Sequence, residues 1–187
     1  MVLLFKKKVL LECCSKVNRT KTLTFVALMA ALSTILSLPP FVIPITIGSF
    51  ASEIHFTQIP ILISGILAGP WAGLLTGAIG GLYMSFSVEI PFIVGGLALL
   101  GAAAGFFAKK LKIRPLFAGI LAWGVQAPYV FVTDYIWFVL SRPMPPPVAL
   151  TTVLTILVKL TVEALIASAL ISIIIPYIKR PGLTTSE

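Results

Sequence analysis

The chain has 187 residues, of which 58% are hydrophobic and 11% are charged, and its formal net charge is +8. A soluble globular domain is normally about 25% charged, and a chain this apolar could not cover its surface in water. The composition therefore excludes an ordinary soluble protein and predicts an all-α, multi-pass protein of the cell membrane. The length predicts a single transmembrane domain over residues 1–187.

The positive charges are concentrated at the edges of the apolar segments, as is typical of the cytoplasmic ends of membrane spans. This distribution argues against nucleic-acid binding, although the net charge alone would permit it. Twelve of the fourteen basic residues form these clusters: Lys6, Lys7, Lys8, Lys16, Arg19, Lys21, Lys109, Lys110, Lys112, Arg114, Lys179 and Arg180.

Six apolar segments follow one another along the chain. A helix needs roughly 20 residues to cross a bilayer core of about 30 Å. The uncharged stretch 57–87 is too long for one helix, and we expect Gly69-Pro70 to divide it, because proline lacks an amide donor and disfavours helix at the residue before it. The predicted helices are Thr22–Leu38, Thr57–Gly69, Pro70–Phe86, Pro91–Ala108, Leu116–Leu140 and Val148–Ile178, between a basic cytoplasmic segment 1–21 and a cytoplasmic tail 179–187.

Six spans place both termini on the same side of the membrane. If that side is cytoplasmic, the inner segments contain the twelve clustered cations, and the outer loops contain Arg142 together with Glu53 and Glu89. This asymmetry predicts an N-in, C-in orientation. The long loop from Pro39 to Phe56, between the first two helices, then faces outward.

Small residues recur at intervals of four, a spacing that lets helix backbones approach closely in lipid. The pattern indicates either tight packing within the bundle or a docking surface for another membrane protein. Ala27 and Ala31 are also four apart, on one face of the first helix. The glycines with this spacing are Gly65, Gly69, Gly73, Gly77 and Gly81, and then Gly101 and Gly105.

Two charged residues interrupt the last apolar segment. Lys159 lies eleven residues into the predicted helix, about 16 Å from its outer end, and Glu163 follows one turn later on the same face. An ionised side chain at this depth is costly and usually functional. The pair is either an internal ion pair or, together with Asp134 on the preceding helix, part of a polar pocket or pathway.

The fifth helix adds further polar and aromatic candidates. Gln126, Tyr129, Thr133 and Trp137 are spaced by three or four and so lie on one side of the helix. For Trp137, a place in the interfacial aromatic belt is the alternative to stacking on a ligand.

Several common catalytic patterns are missing from the sequence. There is no G-x-x-x-x-G-K-[ST] phosphate loop, no H-E-x-x-H and no G-x-S-x-G, and His55 is the one histidine, so we predict neither a metal site nor a cofactor. Six helices around one pocket suggest a capture protein, not a pump or an enzyme. A stand-alone carrier and an intramembrane enzyme using Glu163 or Asp134 as acid or base stay open as alternatives.

Residues 56–77, F-T-Q-I-P-I-L-I-S-G-I-L-A-G-P-W-A-G-L-L-T-G, resemble the substrate-binding S components of energy-coupling factor (ECF) vitamin transporters. In that family a short second helix follows a long outer loop and ends at a Gly-Pro turn. An A-x-x-x-A motif on the first helix docks on the membrane coupling subunit, and Ala27 and Ala31 stand in that place. The resemblance extends over about residues 22–178.

The resemblance implies high-affinity capture of a vitamin from outside, under a lid formed by the first loop. A membrane coupling subunit and two ATPase subunits would supply the energy, so ATP would be hydrolysed by partners. The sequence looks most similar to the riboflavin-type branch, with Lys159 matching a ligand-contacting lysine; pantothenate or another carboxylated micronutrient is the alternative. The implied ligand contacts are Lys159, Asp134, Gln126, Tyr129, Trp137, Gly95 and Gly96.

Overall fold

The computed structural model describes residues 20–47 and 50–178, and it describes their side chains except at 45–52 and 178. Most of the predicted N-terminal segment 1–21 and the predicted tail 179–187 lie outside the described residues.

Helices make up most of the described chain, in the predicted order. A short 3-10 turn and a two-stranded β-hairpin lie between the first two helices. The elements are α1 (Thr20–Ile35), the 3-10 turn (Pro39–Phe41), β1 (Ile43–Ile47), β2 (Phe50–Ile54), α2 (Gln58–Ala68), α3 (Pro70–Gly80), α4 (Leu82–Val88), α5 (Ile93–Lys109), α6 (Pro115–Leu140) and α7 (Pro146–Ile178).

Three helical units of the described chain are long and apolar enough to cross a membrane: Pro70–Val88, Pro115–Leu140 and Pro146–Tyr177. The first of these joins α3 to α4 through Gly81, whose amide still donates to the carbonyl of Gly77. Helices α1, α2 and α5 are apolar but shorter. The 11 residues of α2 rise about 16 Å, roughly half of the hydrocarbon core, so six complete spans and their orientation stay predictions.

The break predicted at Gly69 is present. Gly69 has φ +102°, a conformation that L side chains rarely adopt, and Pro70 opens the next helix. The amide of Gly69 donates to the carbonyl of Gly65, which ends α2, and Pro70 begins α3 where its missing N–H costs nothing. Helices α2 and α3 can therefore turn back on each other.

The glycine pattern is explained by packing within the bundle. A Cβ atom built on Gly73 would overlap the carbonyl oxygen of Gly101, and one on Gly101 would overlap the carbonyl oxygen of Gly73. Gly65 and Gly105 are equally crowded by backbone atoms. Helices α2, α3 and α5 thus meet backbone to backbone, and of the two predicted alternatives for the glycines, tight internal packing is the one confirmed.

The described bundle has large apolar side chains on its surface as well as in its core, and its interior also contains buried polar groups. The buried hydroxyls of Ser64 and Thr76 share a hydrogen bond of 2.7 Å between α2 and α3, and the buried Ser33 hydroxyl donates to the carbonyl of Thr57 at 3.1 Å. By contrast, Trp71 is 78% exposed and Phe86 is 81% exposed. Some of the polar groups in the interior therefore pair with each other, and large apolar side chains lie on the surface as well as in the core.

The long loop between α1 and α2 contains regular structure that the sequence analysis did not predict. Strands β1 and β2 pair antiparallel, with Pro44 opposite Glu53 and Ile43 opposite Ile54. Pairing satisfies backbone groups that an irregular loop would leave to water. The hairpin leads through His55 directly into α2.

Replacing Gly101 by alanine is expected to destabilise the protein by about 1–3 kcal/mol, because the added methyl group has no space between α5 and α3. Gly124→Ala is the matched control, since a Cβ at Gly124 meets no atom within 4 Å. Melting temperatures of the two variants in detergent measure the difference. If both variants melt at the same temperature, the backbone contact of Gly101 is not a tight one.

Candidate ligand-binding cavity

A cavity of about 410 Å³ lies at one end of the bundle, within the range of roughly 300–1,000 Å³ that small-molecule sites occupy. The hairpin, the start of α2, the turn from α4 to α5 and the facing sides of α6 and α7 surround it. At this end Arg142, between α6 and α7, donates to Glu89 Oε2 at 2.9 Å and to the carbonyl of Val88 at 3.4 Å. The loops that follow α4 and α6 are thereby joined.

Lys159 and Glu163 form an ion pair in the part of the cavity wall that α7 contributes. The Lys159 ammonium lies 3.6 Å from Glu163 Oε1, and the two side chains are 10% and 2% exposed. The four-residue spacing on α7 places both on the face turned towards the cavity. The ion pair and the polar pocket, which the sequence left as alternatives, therefore occur together.

The Glu163 carboxylate has two further donors, both from the segment between β2 and α2. The backbone amide of His55 donates to Glu163 Oε1 at 2.8 Å, and Gln58 Nε2 donates to Oε2 at 3.5 Å. A buried carboxylate is costly unless it is paired and hydrogen-bonded. Both oxygens of Glu163 meet this condition.

Asp134 and Gln126 line the cavity from α6 and are 6% and 3% exposed. In the described residues Lys159 has its ion pair with Glu163, and Asp134 does not form a second one. The Gln126 side-chain oxygen is buried and has no hydrogen-bond partner among the described residues. Buried polar atoms are nearly always hydrogen-bonded, so this oxygen lacks a partner that a ligand could supply once the side chain turns towards it.

Of the seven ligand contacts that the resemblance implied, Lys159, Asp134, Gln126 and Gly96 lie in the cavity wall. The other three lie outside it. The Tyr129 hydroxyl donates to the carbonyl of Phe92 at 3.4 Å and fills the space beside Gly95. The Trp137 ring packs edge-on against Phe92, 5.9 Å between centroids.

Apolar side chains complete the cavity. They come from α4, the α4–α5 turn and α5, together with one residue of α6 and two of α7. The cavity thus combines an apolar surface with polar groups from the hairpin, the start of α2, α6 and α7, as is usual for sites that bind small organic molecules. These apolar residues are Met84, Val88, Ile90, Phe92, Ile93, Leu97, Val130, Ile156 and Leu160.

His55 stands at the junction of the hairpin and α2, and its side chain is 7% exposed. Burial, followed by the positive charge of Lys159, lowers the pKa of His55 to about 4. Glu53 Oε2 lies 3.9 Å from the imidazole, but Glu53 is 62% exposed, so water screens its charge and burial prevails. His55 is therefore neutral at pH 7.

Helix α1 presents its two candidate docking residues on the outside. Ala27 and Ala31 are exposed, whereas Val26 and Ala30 are buried against the bundle. Thus the A-x-x-x-A pair lies on the outer surface of the described bundle.

Sequence reasoning missed the residues before and at the start of α2. Glu53, His55 and Gln58 all line the cavity, as does Pro44 in β1. The signal that could have identified this region is the F-T-Q-I-P stretch, whose polar residues Thr57 and Gln58 open an otherwise apolar helix.

Three comparisons place the chain among known proteins. A family model described as "ECF-type riboflavin transporter, S component" matches residues 17–178. A crystal structure of the S component for biotin from an ECF-type ABC transporter superposes with a TM-score of 0.64 at 21% identity, covering 85% of this chain and 93% of that one. The structure of the S component of a bacterial ECF transporter gives a TM-score of 0.53 at 20% identity, covering 87% and 99%. No curated protein matches.

The neutral state of His55 makes the stability of the protein depend on pH. Between about pH 6.5 and 4 the unfolded chain binds a proton at His55 that the folded protein does not, so stability falls as the pH decreases through this window and His55 has no effect above it. The full effect corresponds to about 3 kcal/mol.

The His55→Gln variant lacks this proton and is the reference for the measurement. The melting temperature of the wild-type protein minus that of His55→Gln is expected to decrease by several degrees from pH 7.5 to pH 4.5. A constant difference would contradict a buried, neutral His55.

Proposed function

We propose that this chain, which belongs to the family of ECF-type riboflavin transporter S components, captures an uncharged vitamin, most simply riboflavin, in the cavity beside Lys159. The observation that carries the proposal is the ion pair inside the cavity. Lys159 already has Glu163 as its counter-ion, so it can donate hydrogen bonds but offers no uncompensated positive charge.

The charges around the cavity favour a neutral ligand over a carboxylate. Lys159 contributes one positive charge, while Glu163, Asp134 and Glu53 contribute carboxyl groups, and His55 is neutral. Even if Asp134 is protonated, the Lys159–Glu163 pair sums to zero. A ligand carboxylate would lose its hydration and find no free cation in return. Pantothenate and biotin are therefore less suited to this site, although the biotin S component has a similar fold.

The polar and apolar groups of riboflavin match those in the wall of the cavity. Its fused ring system is flat and largely apolar on its faces, with carbonyl oxygens and an imide N–H at its edge, and its ribityl chain carries hydroxyl groups. The ammonium of Lys159 can donate to a carbonyl oxygen, and the unpartnered oxygen of Gln126 can accept from an imide or hydroxyl group. The contacts that the resemblance implied at Tyr129, Trp137 and Gly95 would need a ligand that reaches beyond the cavity wall.

The proposed orientation places the cavity on the outer side of the cell membrane. With the basic clusters inside, the hairpin, Glu89 and Arg142 face outward, at the end of the bundle where the cavity lies. The chain is then a multi-pass protein with six spans and both termini in the cytoplasm. A vitamin would enter from outside, next to the hairpin.

The proposed partners are a membrane coupling subunit and two ATPase subunits. The exposed pair Ala27 and Ala31 on α1 offers a flat surface on which another helix can pack closely. Energy would come from ATP hydrolysed by the partner subunits. This chain would contribute capture of the ligand and no enzymatic step.

The Lys159→Met variant is expected to bind riboflavin at least tenfold more weakly than wild type, since a hydrogen bond from a charged group contributes about 1.5–3 kcal/mol. Quenching of flavin fluorescence during titration of the purified protein measures the affinity. Lys109→Met, at the exposed end of α5, is the matched control and should leave binding unchanged.

Competition tests the neutral-ligand part of the proposal separately. Biotin and pantothenate at 100-fold excess should leave riboflavin bound. If riboflavin does not bind, or if Lys159→Met binds it as well as wild type does, the proposed site is wrong.

Docking is tested by enlarging the two exposed alanines of α1. Ala27→Leu combined with Ala31→Leu is expected to prevent co-purification with a co-expressed coupling subunit and two ATPase subunits, while riboflavin binding stays as in wild type. Ala169→Leu, at an exposed position of α7, is the control and should still co-purify. Normal assembly of the double variant would place the docking surface elsewhere.

A further inference from the structure

The hairpin borders the cavity, and residues 55–58, between its second strand and α2, form the base of the hairpin. Strands β1 and β2 contribute Pro44 and Glu53 to the cavity wall, and these two residues face each other in the strand register. His55 follows β2 directly, and α2 begins at Gln58. Whatever holds residues 55–58 in place therefore also sets the position of the hairpin over the cavity.

The contact that holds this base comes from the far end of the chain. Glu163 on α7 accepts from the His55 amide at 2.8 Å and from Gln58 at 3.5 Å, across sequence separations of 108 and 105 residues. The Glu163 side chain is 2% exposed. A hydrogen bond to a charged acceptor that is shielded from water is among the stronger polar contacts in a protein.

The same carboxylate oxygen also faces the ligand-binding lysine. Glu163 Oε1 accepts from the His55 amide and lies 3.6 Å from Lys159 Nζ. The two donors share one oxygen, so the position of each depends on the other. A ligand that accepts a hydrogen bond from the Lys159 ammonium will therefore change the interaction of Lys159 with Glu163 Oε1, the same oxygen that holds the His55 amide.

We propose that Glu163 is a positioning residue that fastens the base of the hairpin to α7 next to Lys159. One carboxylate then holds both the hairpin at the cavity wall and the ammonium inside the cavity. The expected effect on ligand release rests on the proposed capture of riboflavin. The contact that fastens the hairpin rests on the geometry alone. Glu163 acts through His55 and Lys159 and need not touch the ligand. Without the Glu163 carboxylate the hairpin should be held less firmly, and bound ligand should dissociate faster.

The chain allows the amide of His55 to be removed without changing Glu163. His55→Pro lacks the backbone N–H, whereas His55→Ala lacks the imidazole but keeps the N–H. Stopped-flow measurement of flavin fluorescence gives the dissociation rate constant. His55→Pro and Glu163→Ala are each expected to raise it at least tenfold, and His55→Pro is expected to raise it severalfold more than His55→Ala does.

The double variant His55→Pro/Glu163→Ala should release ligand no faster than Glu163→Ala alone, because both changes remove the same contact. Glu163→Gln, which keeps an acceptor oxygen at the same reach, should restore part of the slow release. A purely structural role would lower the fraction of protein that binds without changing the dissociation rate of the remainder. Equal rates for His55→Pro and His55→Ala, or additive effects in the double variant, would overturn the proposal.

Hydrogen exchange of the ligand-free protein provides a test that requires neither riboflavin nor a folded proline variant. In Glu163→Gln and Glu163→Ala, amides in residues 53–58 are expected to exchange faster than in wild type, more so in Glu163→Ala. Amides of α5 near Gly101 should be unchanged. Unaltered exchange at 53–58 would refute the fastening, whereas faster exchange without any flavin binding would refute the proposed ligand and leave the fastening intact.

Discussion

The buried carboxylate of Glu163 is the interaction on which the organisation of the site depends. An ionisable group inside a membrane bundle must find its partners within the protein, because lipid offers none. Glu163 finds them in Lys159 on its own helix and in His55 and Gln58 at the base of the hairpin. The last helix, the hairpin and the start of α2 are therefore held together at one point, and that point borders the cavity.

The rest of the bundle supplies a rigid frame around this point. Contacts between Gly73 and Gly101 bring α3 and α5 into backbone contact, and such close packing cannot be adjusted by changing side-chain rotamers. Helices α6 and α7 line the cavity with polar side chains such as Asp134 and Gln126. The molecule thus combines a tightly packed glycine core with a cavity that has polar groups in its wall, and the base of the hairpin beside this cavity is held to α7 by a hydrogen bond.

The sequence predicts much of the helical framework because apolar length and Gly-Pro breaks are local signals. Gly69 was placed correctly on such a signal, whereas the hairpin was missed because β1 contains Pro44, and proline in a short run argues against a strand although an edge strand tolerates it. On α6, spacing grouped Gln126 with Trp137. The two residues are eleven positions apart, about 16 Å along the axis, and Trp137 lies beyond the cavity. Helical spacing shows which residues share a face, but it does not show how much of that face borders a site.

The most direct test of the account is an experimental structure of the protein purified with riboflavin. The account predicts that the flavin occupies the cavity beneath the hairpin, that Lys159 Nζ lies within hydrogen-bonding distance of the ligand, and that Glu163 still accepts the amide of His55. A flavin bound elsewhere, or a Lys159 side chain that points into the surrounding lipid, would contradict it.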